Sequence, residues 1–260
     1  MNFTALLVLL LPEVLVTVGA LVVLAMDLGS LRKEALSTRL RTLAWVSTAA
    51  CVAAAFYIVA FARPGRLESG MLVVDDLGLL MKLAMLALTV MTVWLTAGTS
   101  FTRHVGEYYA ILLLATVGMM FLVSTENLLM IFVSLELLSL SLYILTAFDK
   151  SDRRSAEAGL KYFMFGGMAA AFTLFGLSLV YGLSGHLNLQ GVAAHLGQGP
   201  VSPLLIIALV MVIVGFGFKV AAAPFHLWAP DTYQAAPLPT AAFVASGSKV
   251  ASFYILAKLD

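Results

Sequence analysis

The 260 residues carry 62% hydrophobic and only 11% charged side chains at a formal net charge of +1, with a mean hydropathy of +1.01. Soluble chains devote about 25% of their residues to charge, so this composition excludes a soluble globular domain. It offers no basic cluster for nucleic acid, and the single cysteine, Cys51 in an apolar run, gives no disulfide framework, metal-ligand spacing or iron–sulfur motif.

A bilayer asks for runs of about 20 apolar residues, and eight such runs follow in order. They are Thr4–Met26, Leu40–Ala62, Asp75–Ala97, Glu107–Val123, Asn127–Phe148, Ala156–Gly182, Val201–Ala223 and Leu238–Leu259. The first begins without a basic stretch or a small-residue cleavage site, so it reads as a retained helix and not a removed signal peptide. Gly65–Gly70 reads as a turn between short extended pieces, and Asp149–Arg154 as a tight charged turn. Gly185–Pro203 reads as a loop with one short surface helix.

Basic residues fix the expected orientation, because they concentrate in cytoplasmic loops. The first, third and fifth connections hold Arg32, Lys33, Arg39, Arg41, Arg103, Lys150, Arg153 and Arg154; the second holds Arg63 and Arg66. The N-terminus is therefore expected outside, and the chain in a bacterial plasma membrane.

Six ionisable residues fall inside the runs: Glu13, Lys82, Glu136, Lys161, Lys219 and Lys249. A charge at a helix centre costs about 2.5–3.5 kcal/mol on insertion scales, and such residues are functional by default. Glu136 and Lys249 are central, beyond the reach of snorkelling. Lys161 has Glu157 four residues before it, the favourable order for a local ion pair. Lys82 has a stem long enough to reach the outer interface, and Glu13 follows Pro12, where a neighbouring helix can satisfy it.

Lys219 opens the most informative stretch. Pro224, Pro230, Pro237 and Pro239 forbid a continuous helix, since Pro224 has no N–H for the carbonyl of Val220 and its ring crowds that carbonyl. The only formal charge in the stretch is Asp231, so the break is expected at membrane depth, covered by protein or internal water. Broken helices of this kind line ion sites in transporters. Lys219 beside freed carbonyls, with the imidazole of His226 seven residues on, makes a candidate proton relay; a structural hydrogen bond for His226 is the competing reading. Asp231 is expected to cap the helix that resumes after Pro230, and Trp228 and Tyr233 to be interfacial aromatics.

The run from Lys219 through Pro224-Phe225-His226-Leu227-Trp228-Ala229-Pro230-Asp231 to Ser248-Lys249 resembles the signature of the antiporter-like subunits of respiratory complex I and their Mrp cation/proton antiporter relatives. Tyr233-Gln234 makes it more similar to subunit N than to subunits L or M. Leu11-Pro12-Glu13, Tyr108–Met120, Glu126–Met130, Leu135–Leu140 and Arg153–Phe163 extend the resemblance over essentially the whole chain. The resemblance implies an all-α polytopic membrane protein with a discontinuous seventh span. Residues 1–106 would form an N-terminal three-helix segment and 107–260 one five-helix antiporter-like repeat. Family members are much longer and carry a second, inverted repeat; a truncated chain is the expectation here.

The same resemblance implies a proton-translocating, non-redox subunit of NADH:quinone oxidoreductase. Glu136, Lys161, Lys219, His226 and Lys249 match the family's proton-path residues. No cofactor, metal, nucleotide or nucleic acid is expected in this chain, and its partners would be the other membrane-arm subunits and the lipid. The alternatives are an Mrp-type cation/proton antiporter subunit and a structural membrane-arm subunit.

Overall fold

A computed structural model describes residues 3–67, 70–197 and 201–259. Among these residues, eight helices are long and apolar enough to cross a membrane. The chain is a multi-pass membrane protein, and the all-helical fold with a broken seventh span is as expected.

Helices α1 (Phe3–Leu28) and α2 (Leu36–Ala60) pack side by side. Pro12 lies inside α1 and has no N–H to offer the carbonyl of Val8. The hydroxyl of Tyr57 on α2 donates to that orphaned oxygen at 3.1 Å. At the other end, Asp27 is only 2% exposed yet fully engaged. It accepts from Arg39 Nε at 2.8 Å, from Arg39 Nη2 at 2.7 Å and from the Gly106 N–H at 3.0 Å, which ties α1, α2 and the fourth helix together.

Strands β1 (Gly65–Arg66) and β2 (Val73–Val74) form a two-residue antiparallel ladder, close to the expected turn. Val73 N–H donates to Ser124 at 2.8 Å and Glu126 N–H to Gly70 at 3.2 Å, so this ladder is stitched to the connection after the fourth helix. Helix α3 (Asp76–Ala97) follows, capped by Asp75, whose side chain accepts from Gly78 N–H at 2.6 Å.

Helix α4 (Val105–Leu122) is the axis of the bundle and packs against α1, α2, α3 and α5 (Leu128–Thr146). Its sequence is apolar all round, which is what a helix enclosed by others requires. Asn127 caps α5 and Asp152 caps α6 (Arg153–Ser184). Helix α6 runs 32 residues and stops at Gly185, whose φ of 69° suits glycine. The short α7 (Leu189–Leu196) has no buried residue and is the expected surface helix.

Helix α8 (Pro203–Val220) lies along α6 and ends at Ala221, in the left-handed region at φ 56°. After a run of turns come α9 (Trp228–Ala235) and α10 (Leu238–Phe243). A π-helical turn, Val244–Ser248, and α11 (Lys249–Leu259) complete the eighth span.

Candidate functional site

Why α8 stops where it does follows from Pro224. With no N–H four residues on, the helix cannot pass Val220, and the chain leaves through a left-handed residue. The carbonyls of the last turn then need other donors. Two are met by the turn itself: Ala222 N–H donates to Gly217 at 2.9 Å and Ala221 N–H to Phe218 at 3.1 Å. The indole N–H of Trp228 also reaches the Phe218 carbonyl, at 3.0 Å. The Lys219 carbonyl is taken by a side chain from another span, Lys249 Nζ, at 3.0 Å.

Lys249 is aimed there by the π turn before it. One extra residue in a helical turn rotates everything after it by about 100°. Its ammonium group sits 4.7 Å from the centre of the Trp228 ring, a cation–π contact. Trp228 in turn stacks on Tyr162 of α6, ring centres 4.3 Å apart and planes 6° from parallel. At 2% exposure it is not the interfacial aromatic expected from the sequence. Its indole is the floor of the lysine site.

The Lys219 side chain turns the opposite way, toward α5. Its Nζ hydrogen-bonds the hydroxyl of Ser139, and the ring centre of Tyr143 is 5.6 Å away. Ser139 lies one turn beyond Leu135, whose carbonyl its hydroxyl also contacts. Glu136, one residue into that turn, makes no direct ion pair with Lys219. Both line a cavity of about 10 Å³ between α5, α6 and α8, at the lower limit for about one water. Gly166 and Gly215 border it; a Cβ on Gly166 would strike the Tyr143 ring, and one on Gly215 the Thr173 side chain. The carboxylate and the ammonium group therefore face one space of water size without touching.

Lys161 belongs to a different setting. Its Nζ lies 2.8 Å from Glu157 and 2.8 Å from Asp231, and its side chain is 43% exposed. The local pair with Glu157 is the one the spacing predicts. Asp231 is not the expected cap: it stands in the first turn of α9 and binds across to α6 because Tyr162, Lys161's neighbour, is buried beneath Trp228. Arg154, Glu157, Lys161, Asp231 and Gln234 line a polar cavity of about 220 Å³. His226 is exposed in the turn after the break, and no hydrogen bond or ion pair among the described residues joins its ring to Lys219. The left-handed end of α8 carries it away. The structure thus brings Glu136, Lys219 and Lys249 together and leaves Lys161 and His226 outside that group.

Glu13 and Lys82 make a separate buried pair at 2.7 Å. Lys82 is 0% exposed, so it does not snorkel as the length of its stem suggested. Asp27–Arg39 escaped the sequence reading altogether, since both lie at span ends where charge is ordinary.

Residues 125–260 match the transmembrane family described as NADH:quinone oxidoreductase/Mrp antiporter. The chain is 48% identical over 267 aligned positions to NADH-quinone oxidoreductase subunit N 2 of Acidobacterium capsulatum, covering 99% of this chain and 53% of that protein. Among solved structures it is similar to a chain of respiratory complex I from Thermus thermophilus with bound aureothin, at 32% identity and a TM-score of 0.77, covering 94% of this chain and 52% of that one. A chain of the membrane-bound sulfane sulfur reductase, an archaeal respiratory membrane complex, shares the fold at 24% identity and a TM-score of 0.76, with coverage of 94% and 52%. The chain spans about half the length of the relatives it matches. With the family matching over more than half of its residues, and with a broken helix flanked by two half-buried lysines in the matched region, the chain belongs to the NADH:quinone oxidoreductase/Mrp antiporter transmembrane family.

Proposed function

We propose that this chain is a proton-translocating membrane subunit of an NADH:quinone oxidoreductase. The observation that carries the reading is the contact of Lys249 Nζ with the freed Lys219 carbonyl at 3.0 Å, while the Lys219 ammonium group faces Ser139 beside Glu136. Two lysines meet at one helix break, each held on a different side by groups that tolerate loss of a proton. An ionised Glu136 near Lys219 favours its ammonium form, and withdrawal of that carboxylate removes the support. Lys219 then releases its proton toward the neutral amine of Lys249 through internal water. Lys161 in its polar cavity and the exposed His226 serve uptake from the aqueous side.

In this reading the chain carries charge, and the redox chemistry belongs to other subunits. The other membrane-arm subunits and the lipid are its partners, in a bacterial plasma membrane with the N-terminus outside. Similarity to a subunit N supports the assignment, and the excess of basic residues on alternate connections supports the orientation. A second reading, a cation/proton antiporter subunit, is favoured by the breadth of the matching family, which includes Mrp antiporters.

The test is proton translocation in membrane vesicles carrying Lys219→Ala, with complex assembly and NADH-to-quinone electron transfer followed in parallel. The proposal expects assembly with loss of pumping. Unchanged pumping in an assembled complex overturns it, and sodium-dependent transport in cells lacking the oxidoreductase selects the antiporter reading.

A further inference from the structure

The two buried ion pairs of the first three helices are built on opposite principles. Asp27 faces an arginine, which keeps its proton under all conditions in a protein. Its carboxylate is filled by two guanidinium N–H groups and a backbone N–H. That is a clamp. Glu13 faces a lysine, which can give its proton up. Both Glu13 oxygens and Lys82 Nζ are buried and, beyond their mutual contact at 2.7 Å, none has a well-formed hydrogen bond among the described residues. Glu13 is 1% exposed and Lys82 0%.

A lasting ion pair in so dry a place needs further hydrogen bonds to offset lost hydration. Here they are missing, so the charged arrangement, carboxylate plus ammonium, loses its advantage over the neutral one, carboxylic acid plus amine. Transfer of one proton across the 2.7 Å contact interconverts the two. Hydroxyls continue along the helix face that carries Lys82. Thr89 and Thr96 lie on the same face of α3 as Lys82, about two and four turns on. Both are buried, and the Thr89 hydroxyl meets that of Thr116 on α4 at 2.7 Å. Hydroxyls both accept and donate, so this face is suited to passing a proton.

We propose that Glu13 and Lys82 form a second proton-holding pair in this chain, separate from the Glu136–Lys219–Lys249 group and reached along the hydroxyl face of α3. In its resting form the pair holds one proton, shared between carboxylate and amine. A second proton converts it to carboxylic acid plus ammonium, and release returns it. The inference rests on the translocation reading above and extends it to the first three helices.

The experiment uses the complete complex in vesicles with three substitutions: the neutral double Glu13→Gln/Lys82→Met, the exchanged double Glu13→Lys/Lys82→Glu, and Lys219→Ala as reference. Removing both charges of a buried pair is tolerated far better than removing one, so the doubles are expected to assemble. Proton yield per electron should fall in the neutral double and recover in the exchanged one. The infrared difference spectrum on turnover should show a protonated-carboxyl band that the neutral double lacks. A neutral double that pumps like the parent with an unchanged spectrum overturns the proposal, and so does failure of both doubles to assemble, which makes the pair a packing device. If Lys219→Ala itself pumps normally, the translocation reading fails, and the infrared band alone decides whether the pair holds a proton.

Discussion

Lys161 and Lys219 are both lysines set within the membrane spans, and their surroundings could hardly differ more. Lys161 is half in water and gripped by two carboxylates, each at 2.8 Å. Lys219 is half-buried, and its ammonium group meets one hydroxyl, with the Glu136 carboxylate across a cavity. Two close anions hold a proton on an amine; a hydroxyl and a separated anion leave it free to depart when the anion moves. In the proposed reading the contrast separates a lysine that takes up protons at the aqueous edge from a lysine that switches, and their surroundings, not their position within a span, set the two apart.

The contrast can be broken most severely at Lys249. Lys249→Ala removes the group that takes the Lys219 carbonyl, and proton transfer should fall by about 10²-fold or more, read as acidification by inverted vesicles. Intact transfer would mean that protons bypass the break. A smaller effect is expected from Glu136→Gln, which keeps shape but removes the charge that modulates Lys219. Electron transfer should continue with impaired pumping, and unimpaired pumping with normal assembly would sink the switching role. Ser139→Ala comes next. A hydrogen bond to a charged group contributes about 1.5–3 kcal/mol, so the rate of proton uptake should change by roughly tenfold in stopped-flow measurements. The smallest effect belongs to the exposed lysine: Asp231→Asn should leave assembly and stability at their parent values and slow proton uptake only slightly, because an exposed pair contributes little. A large loss there would give Lys161 a switching role beyond uptake.

Much of this was legible in the amino-acid sequence. Four prolines from Pro224 to Pro239 announce the break because proline's missing N–H and fixed ring act locally. Glu136 and Lys249 stand out because charge at mid-span is costly whatever surrounds it. What stayed hidden depends on contacts between distant segments. Nothing in the letter for Trp228 tells whether the ring meets lipid or a lysine. The Asp231 carboxylate has a plausible local use as a cap, and only the packing of α9 on α6 gives it Lys161 instead. Glu13 and Lys82 are each explicable alone, by a neighbour or by snorkelling, and become a pair only once α1 and α3 are folded together.

The stacking of Trp228 has one more consequence. Of the three tryptophans, Trp45 and Trp94 face outward and meet each other edge to face at 4.8 Å. Trp228 alone is enclosed, with the Lys249 ammonium group over its own ring, 4.7 Å from the centre. An indole's emission shifts in colour with the electric field across it. In a chain carrying Trp45→Phe and Trp94→Phe, the fluorescence of Trp228 would brighten, dim or change hue each time Lys249 gains or loses its charge, so the site contains its own optical voltmeter.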